Sequence, residues 1–131
     1  MIGEEQIRQN AEAALSRFKS LSNIGAEFEY DRESVACVEK FIEQQRGRTN
    51  ASETERDALV QLIGSHLGEC VIRTYGGVWR MHDGEWGVFF NNLNAAFPFH
   101  KVRKQFDNGV GGGDSILSFF DVIGLVIIKK K

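Results

Sequence analysis

Apolar side chains recur with a helical period through the first half of the chain and switch to a period of two near its middle. Ile7, Ala11, Ala14, Leu15, Phe18 and Leu21 share one face at helical spacing, which predicts an amphipathic helix over residues 4–21. Ser22 to Phe28, with Gly25, reads as a connector. Asp31 is placed to cap a second helix, with Tyr30 packing on Val35 as a hydrophobic staple. Val35, Val38, Phe41 and Ile42 form its apolar face, and it stops near Gly47. Ser52 and Glu55 have capping-box spacing and open a third helix that ends at Tyr75-Gly76-Gly77. Its apolar face, Leu59, Leu62, Ile63, His66, Leu67, Cys70 and Val71, is broad. Gly64 and Gly68 sit four apart within it. Helix-interior glycine costs about 1 kcal/mol against alanine, so the pair predicts close approach of a backbone or a bulky ring.

From Val78 the alternation is that of strands. Val78 to His82 and Glu85 to Phe89 flank Asp83-Gly84, a dipeptide suited to a type I′ turn because both central residues must take positive φ. That turn puts Trp79 opposite Val88, Met81 opposite Trp86 and His82 opposite Glu85. Trp79, Met81, Trp86 and Val88 then share the face expected to pack on the helices. Asn91 to Asn94 reads as a second turn, and Ala95 to Phe97 as a third strand. Pro98 suits the start of a short helix over Phe99 to Phe106, closing at Asn108-Gly109, and Gly111-Gly112-Gly113 reads as a loop. Asp114 is placed to cap a last helix over Ser115 to Ile123. Gly124 breaks it, and Leu125 to Ile128 reads as a final strand shielded by Lys129 to Lys131. The expectation is one α+β domain over residues 1–131, with N-terminal helices packed on a small antiparallel sheet and one or two C-terminal helices.

Composition narrows the partners. Sixteen basic and eighteen acidic side chains give a net charge of −2, without the basic excess of a typical nucleic-acid binder. The charge is uneven: residues 1–60 carry a net −4 and residues 61–131 a net +2. Two cysteines, Cys37 and Cys70, both inside helical patterns, suit buried thiols in a reducing compartment. The first ten residues lack the pattern of a signal peptide, and Ile116 to Ile128 is shorter than the roughly 20 residues a bilayer span needs. The expected location is cytoplasmic, with no membrane partner. Seven of ten phenylalanines fall between Phe89 and Phe120. Phe89 and Phe90, being adjacent in a strand, must point to opposite faces, which makes residues 89–104 the expected place for a binding surface.

Candidate chemistry is sparse. His66, Glu69 and Cys70 lie on one helix at spacings of three and four, the arrangement a metal or cysteine site would need, with His82, His100 or Asp83 as further ligands. Nothing in the spacing selects a complete set, so no catalytic residue, metal or cofactor is expected. His82 and Glu85 could form a cross-strand pair. His100, Lys101, Arg103 and Lys104 make the one dense basic cluster, suited to an anion or a partner. Gly109 to Gly113 lacks the Gly-Lys-Ser/Thr ending of a phosphate loop. Glu27, Glu29, Asp31, Glu33, Glu39 and Glu43 form an acidic lobe that would steer onto a basic partner.

Leu67-Gly68-Glu69, Gly76-Gly77-x-Trp79, Pro98-Phe99-x-Lys101-Val102-x-Lys104 and Asp114-Ser115-Ile116-Leu117-Ser118-Phe119-Phe120 together resemble a family of small uncharacterised bacterial cytosolic domains. The resemblance spans about residues 30–123, and the C-terminal Leu125-Val126-Ile127-Ile128 run with its lysines departs from it. It implies no catalytic residues. Similar small domains stand beside secreted toxins as immunity proteins, which bind and block the toxin. The expected function is therefore a non-enzymatic bacterial protein-binding module of the immunity-inhibitor kind. The alternatives are an anion, nucleotide or nucleic-acid-binding regulator using residues 100–104, and a metal-dependent or cysteine hydrolase around His66, Glu69 and Cys70.

Overall fold

The computed structural model describes residues 3–21, 28–48 and 52–129. Among them are five α-helices and three short strands: α1 (Glu4–Leu21), α2 (Arg32–Arg46), α3 (Glu53–Tyr75), β1 (Val78–His82), β2 (Glu85–Phe89), β3 (Ala95–Ala96), α4 (Pro98–Asn108) and α5 (Ile116–Lys129), with a 3₁₀ turn at Val110–Gly112. The fold is α+β, as the patterning predicts. The connector at 22–27, including Glu27, lies outside the described residues, as do Lys130 and Lys131.

The helix starts follow from their caps. Asp31 accepts from the Ser34 backbone amide at 3.0 Å, and Ser34 Oγ accepts from the Asp31 amide, closing a reciprocal box at α2. Ser52 accepts from the Glu55 amide at 3.1 Å at the start of α3. The hairpin register is the one the alternation requires, with Trp79 opposite Val88 and His82 opposite Glu85. Both turn residues take positive φ, 50° at Asp83 and 80° at Gly84. The sheet runs β1-β2-β3, all antiparallel, with β3 reduced to two residues beside Val88 and Phe89.

α3 is the centre of the molecule. Every residue from Ile63 to Val71 is buried, so it is covered on all sides. α1 packs along it, α4 and α5 reach it from the C-terminal half, and β2 covers another side. Gly64 and Gly68 admit rings, as their spacing predicts: a Cβ at Gly64 would collide with the Phe99 ring, and one at Gly68 with the indole of Trp79. The two rings are 5.8 Å apart, and Trp79 Nε1 donates to the buried Glu69 carboxylate at 2.8 Å.

Two C-terminal expectations are corrected. Asp114 does not cap α5. Ser115 does, accepting from the Ser118 amide at 3.0 Å, because Asp114 is already held by Lys101 and Asn108. Nor does Gly124 break α5: residues 125–128 continue the helix to Lys129. Gly124 is buried where the Tyr75 ring packs on it. Phe120, Gly124 and Ile127 therefore keep helical spacing against the core, and that packing outweighs the β-branched character of the run.

Candidate functional site

The residues with the most chemical potential are those of the buried cluster on α3. His66 Nε2 lies 3.2 Å from Ser34 Oγ, and Cys70 Sγ lies 3.6 Å from both. His66 is stacked on Phe28 and flanked by Tyr30. All three polar side chains are at most 1% exposed. Burial pushes the Cys70 thiol up to about 12, against a lowering hydrogen bond from Ser34. Burial pulls His66 down to about 4, against a raising hydrogen bond with the Glu29 backbone. A cysteine nucleophile needs the reverse, a depressed thiol beside a protonated base. Glu69 points elsewhere, to Trp79 and Arg73. Among the described residues no three His, Cys, Asp or Glu side chains come together as a metal-binding group.

The acidic residues do not form one face. Asp31 is consumed by the α2 cap. Glu39 accepts from Ser115 Oγ and, at 3.3 Å, from the Leu117 amide, so it fastens the start of α5 to α2. Glu43 accepts from Gln105 Nε2 at 3.0 Å and pairs with Arg46. Glu29 and Glu33 are exposed, Glu29 lying 4.0 Å from Lys19. Glu27 falls outside the described residues.

The basic cluster on α4 is divided as well. Lys101 is tied to Asp114 at 2.8 Å, which together with the Asn108 amide holds that carboxyl below its usual range. Arg103 is tied to Asp57 at 2.7 Å. His100 and Lys104 are exposed. His82, opposite Glu85 in register, has the Asp83 carboxylate as its closer charge, at 3.3 Å, and its ring lies edge-on to Phe89.

Two of the hollows among the described residues take part of their lining from the 89–104 region. The larger, about 500 Å³, lies between the β2–β3 turn and the outer side of α5. Phe90, Leu93, Phe119, Val122 and Val126 give it an apolar lining, and Lys101 is the one charged residue among the described residues that line it. Leu93 is 93% exposed, presented by a turn that Asn91 stabilises through its side-chain oxygen. Val122, Leu125 and Val126 are exposed on α5 although its other side is buried in the core. Sequence patterning missed this face because it ended the helix at Ile123. With α5 extended to Lys129, Val122, Leu125 and Val126 become a second, exposed apolar stripe on the same helix. The smaller hollow, about 330 Å³, lies between the hairpin tip and the start of α4, with Gln61 of α3 at its base.

No protein-family model matches this chain, and no curated protein or solved structure shows significant similarity to it. Among the described residues no helix is long and apolar enough to cross a membrane.

Proposed function

We propose that this protein is a non-enzymatic protein-binding module that docks an apolar stripe of a partner protein in the groove between the β2–β3 turn and α5. One observation carries the reading. α5 is predominantly apolar with one side buried in the core, yet Val122, Leu125 and Val126 are exposed on its outer side, and Leu93 stands exposed on the opposite lip of the same groove. Large exposed apolar patches mark interaction sites. Because Lys101 is the one charged residue among the described residues of the walls and is paired with Asp114, the occupant presents aliphatic or aromatic side chains, as the stripe of an amphipathic helix does. An inhibitor of the immunity kind is one such module. In this reading its contact surface is the groove, since Asp31, Glu39 and Glu43 hold the fold together internally.

The test compares wild type with Val122→Asp/Val126→Asp. Both positions are solvent-exposed, so the double variant should unfold within about 0.5 kcal/mol of wild type. A partner retained by wild type, purified and measured by calorimetry, should bind at least tenfold more weakly to the variant. Equal binding to both overturns the reading. So does a concentration-dependent dimer that the double substitution abolishes, because the groove would then be filled by a second copy.

A further inference from the structure

The smaller hollow carries an inference of its own. We propose that the pocket between the hairpin tip and the start of α4 binds an organic cation, an alkylammonium or guanidinium group. Three aromatic rings line it, Trp86, Phe97 and Phe99, together with the thioether of Met81. Aromatic faces attract cations through their quadrupoles, and the attraction grows as the cation is desolvated. Thioethers add a soft, polarizable wall.

Charge gives the pocket its sign. Among the described residues its one carboxylate is Glu85, its other titratable wall residue is His100, and no lysine or arginine lines it. Glu85 has no ion-pair or hydrogen-bond partner among the described residues: His82, its cross-strand neighbour, lies beside Asp83 instead. The cations of α4 nearest in sequence, Lys101 and Arg103, are bound to Asp114 and Asp57. An anion would meet an unneutralised carboxylate and aromatic walls. A cation meets the aromatic walls in its favour, with Glu85 at the edge of the pocket, since alternation along β2 turns it to the other face from Trp86. The volume, about 330 Å³, is at the small end of ligand sites and suits a trimethylammonium head or the end of a lysine or arginine side chain.

The fold explains why the pocket is there. Positions 68, 64 and 61 run along one stripe of α3. Gly68 receives Trp79 and Gly64 receives Phe99. At Gln61 a side chain returns, and it lines the pocket together with the hairpin tip and the start of α4. The pocket and the apolar groove use different side chains of the same segment, so they can be tested apart.

The ligand chemistry has two sources, a free small cation or a cationic side chain of another protein. The experiment is a titration followed by tryptophan emission and amide NMR shifts at constant ionic strength. The probes are choline, Nα-acetyl-lysine amide, its Nζ-trimethyl form, arginine amide, and the neutral choline isostere 3,3-dimethylbutan-1-ol. Trp86 is the emitter in the pocket, and Trp79 is buried beneath it in the core. A cation should give saturable shifts centred on Met81, Trp86 and Phe99, and the neutral isostere should give none. Glu85→Gln, at an exposed hairpin position, should bind the cation about fivefold more weakly, as should Trp86→Leu. Tighter binding of the lysine or arginine amides assigns the source to a protein side chain, and tighter binding of choline assigns it to a free cation. Either order supports the proposal. Equal binding of choline and its neutral isostere, no effect of Glu85→Gln, or no saturation with any cation overturns it.

Discussion

Gly68 and Gly47 are both glycines at helical backbone, and their surroundings give them opposite roles. A Cβ at Gly68 would fall within the indole of Trp79, a rigid ring that also donates to Glu69. Gly68→Ala is expected to lower stability, with overpacking of about 1–3 kcal/mol outweighing the gain in helix propensity. Gly47 ends α2 at φ −76° and ψ −9°, and a Cβ there meets only the Gln44 carbonyl at ordinary contact distance. Gly47→Ala is expected to raise stability by about 0.4–1 kcal/mol through the unfolded chain. Urea midpoints of the two variants, moving in opposite directions, check both. His66 sets a pH dependence. Its imidazole titrates near 6.5 when unfolded and near 4 when folded, because burial disfavours the cation. Between those values the unfolded chain binds more protons, so stability is full above about pH 6.5 and falls as pH drops toward 4. The contribution is roughly 3 kcal/mol. Stability measured from pH 7.5 to 4.5 should show this slope, and His66→Phe, which keeps the stack on Phe28, should flatten it.

At the scale of elements, α5 is anchored through polar atoms of its neighbours. Glu39 of α2 holds Ser115 and the Leu117 amide, and Gln105 of α4 accepts from the Ile116 amide. A double-mutant cycle of Glu39→Ala and Ser115→Ala should give a coupling energy of about 0.5–3 kcal/mol. Additive costs would show that the contact contributes nothing. These contacts also mark where the chain was legible and where it was not. Helix α2, the hairpin register and the ring-accepting glycines follow from local rules: Asp31 with Ser34, Asp83-Gly84 between alternating runs, and a spacing of four. Ser115 could not be told from Asp114 as the cap, because the choice depends on Lys101 and Asn108, thirteen and six residues away. The continuation of α5 past Gly124 depends on Tyr75, nearly fifty residues distant. The acidic residues looked like a surface because a carboxylate that caps a distant helix has the same sequence appearance as a solvated one. The expectation for residues 89–104 drew on adjacent phenylalanines, and that segment supplies part of the lining of each of the two hollows.

For the whole molecule, the arrangement is a helix wrapped by everything else. α1, α4, α5 and the sheet each contact α3, while the apolar groove lies where the β2–β3 turn meets α5 and the cation pocket where the hairpin tip meets α4. Binding surfaces placed on peripheral elements can adjust to a ligand without opening the centre. The enclosure of Ile63 to Val71 has a further consequence, in the time domain. An amide in that stretch has no neighbour that can peel away to admit solvent, since removing any one covering element still leaves the others. Its hydrogen should exchange with deuterium only when the entire chain opens, so protection at Leu67 to Val71 should equal the free energy of global unfolding measured in denaturant. The outer turns of α5 should exchange orders of magnitude faster. A central helix that exchanged as fast as α5 would mean that the wrapping elements detach independently. In the expected case, the slowest hydrogens of α3 serve as a direct gauge of the stability of the whole protein.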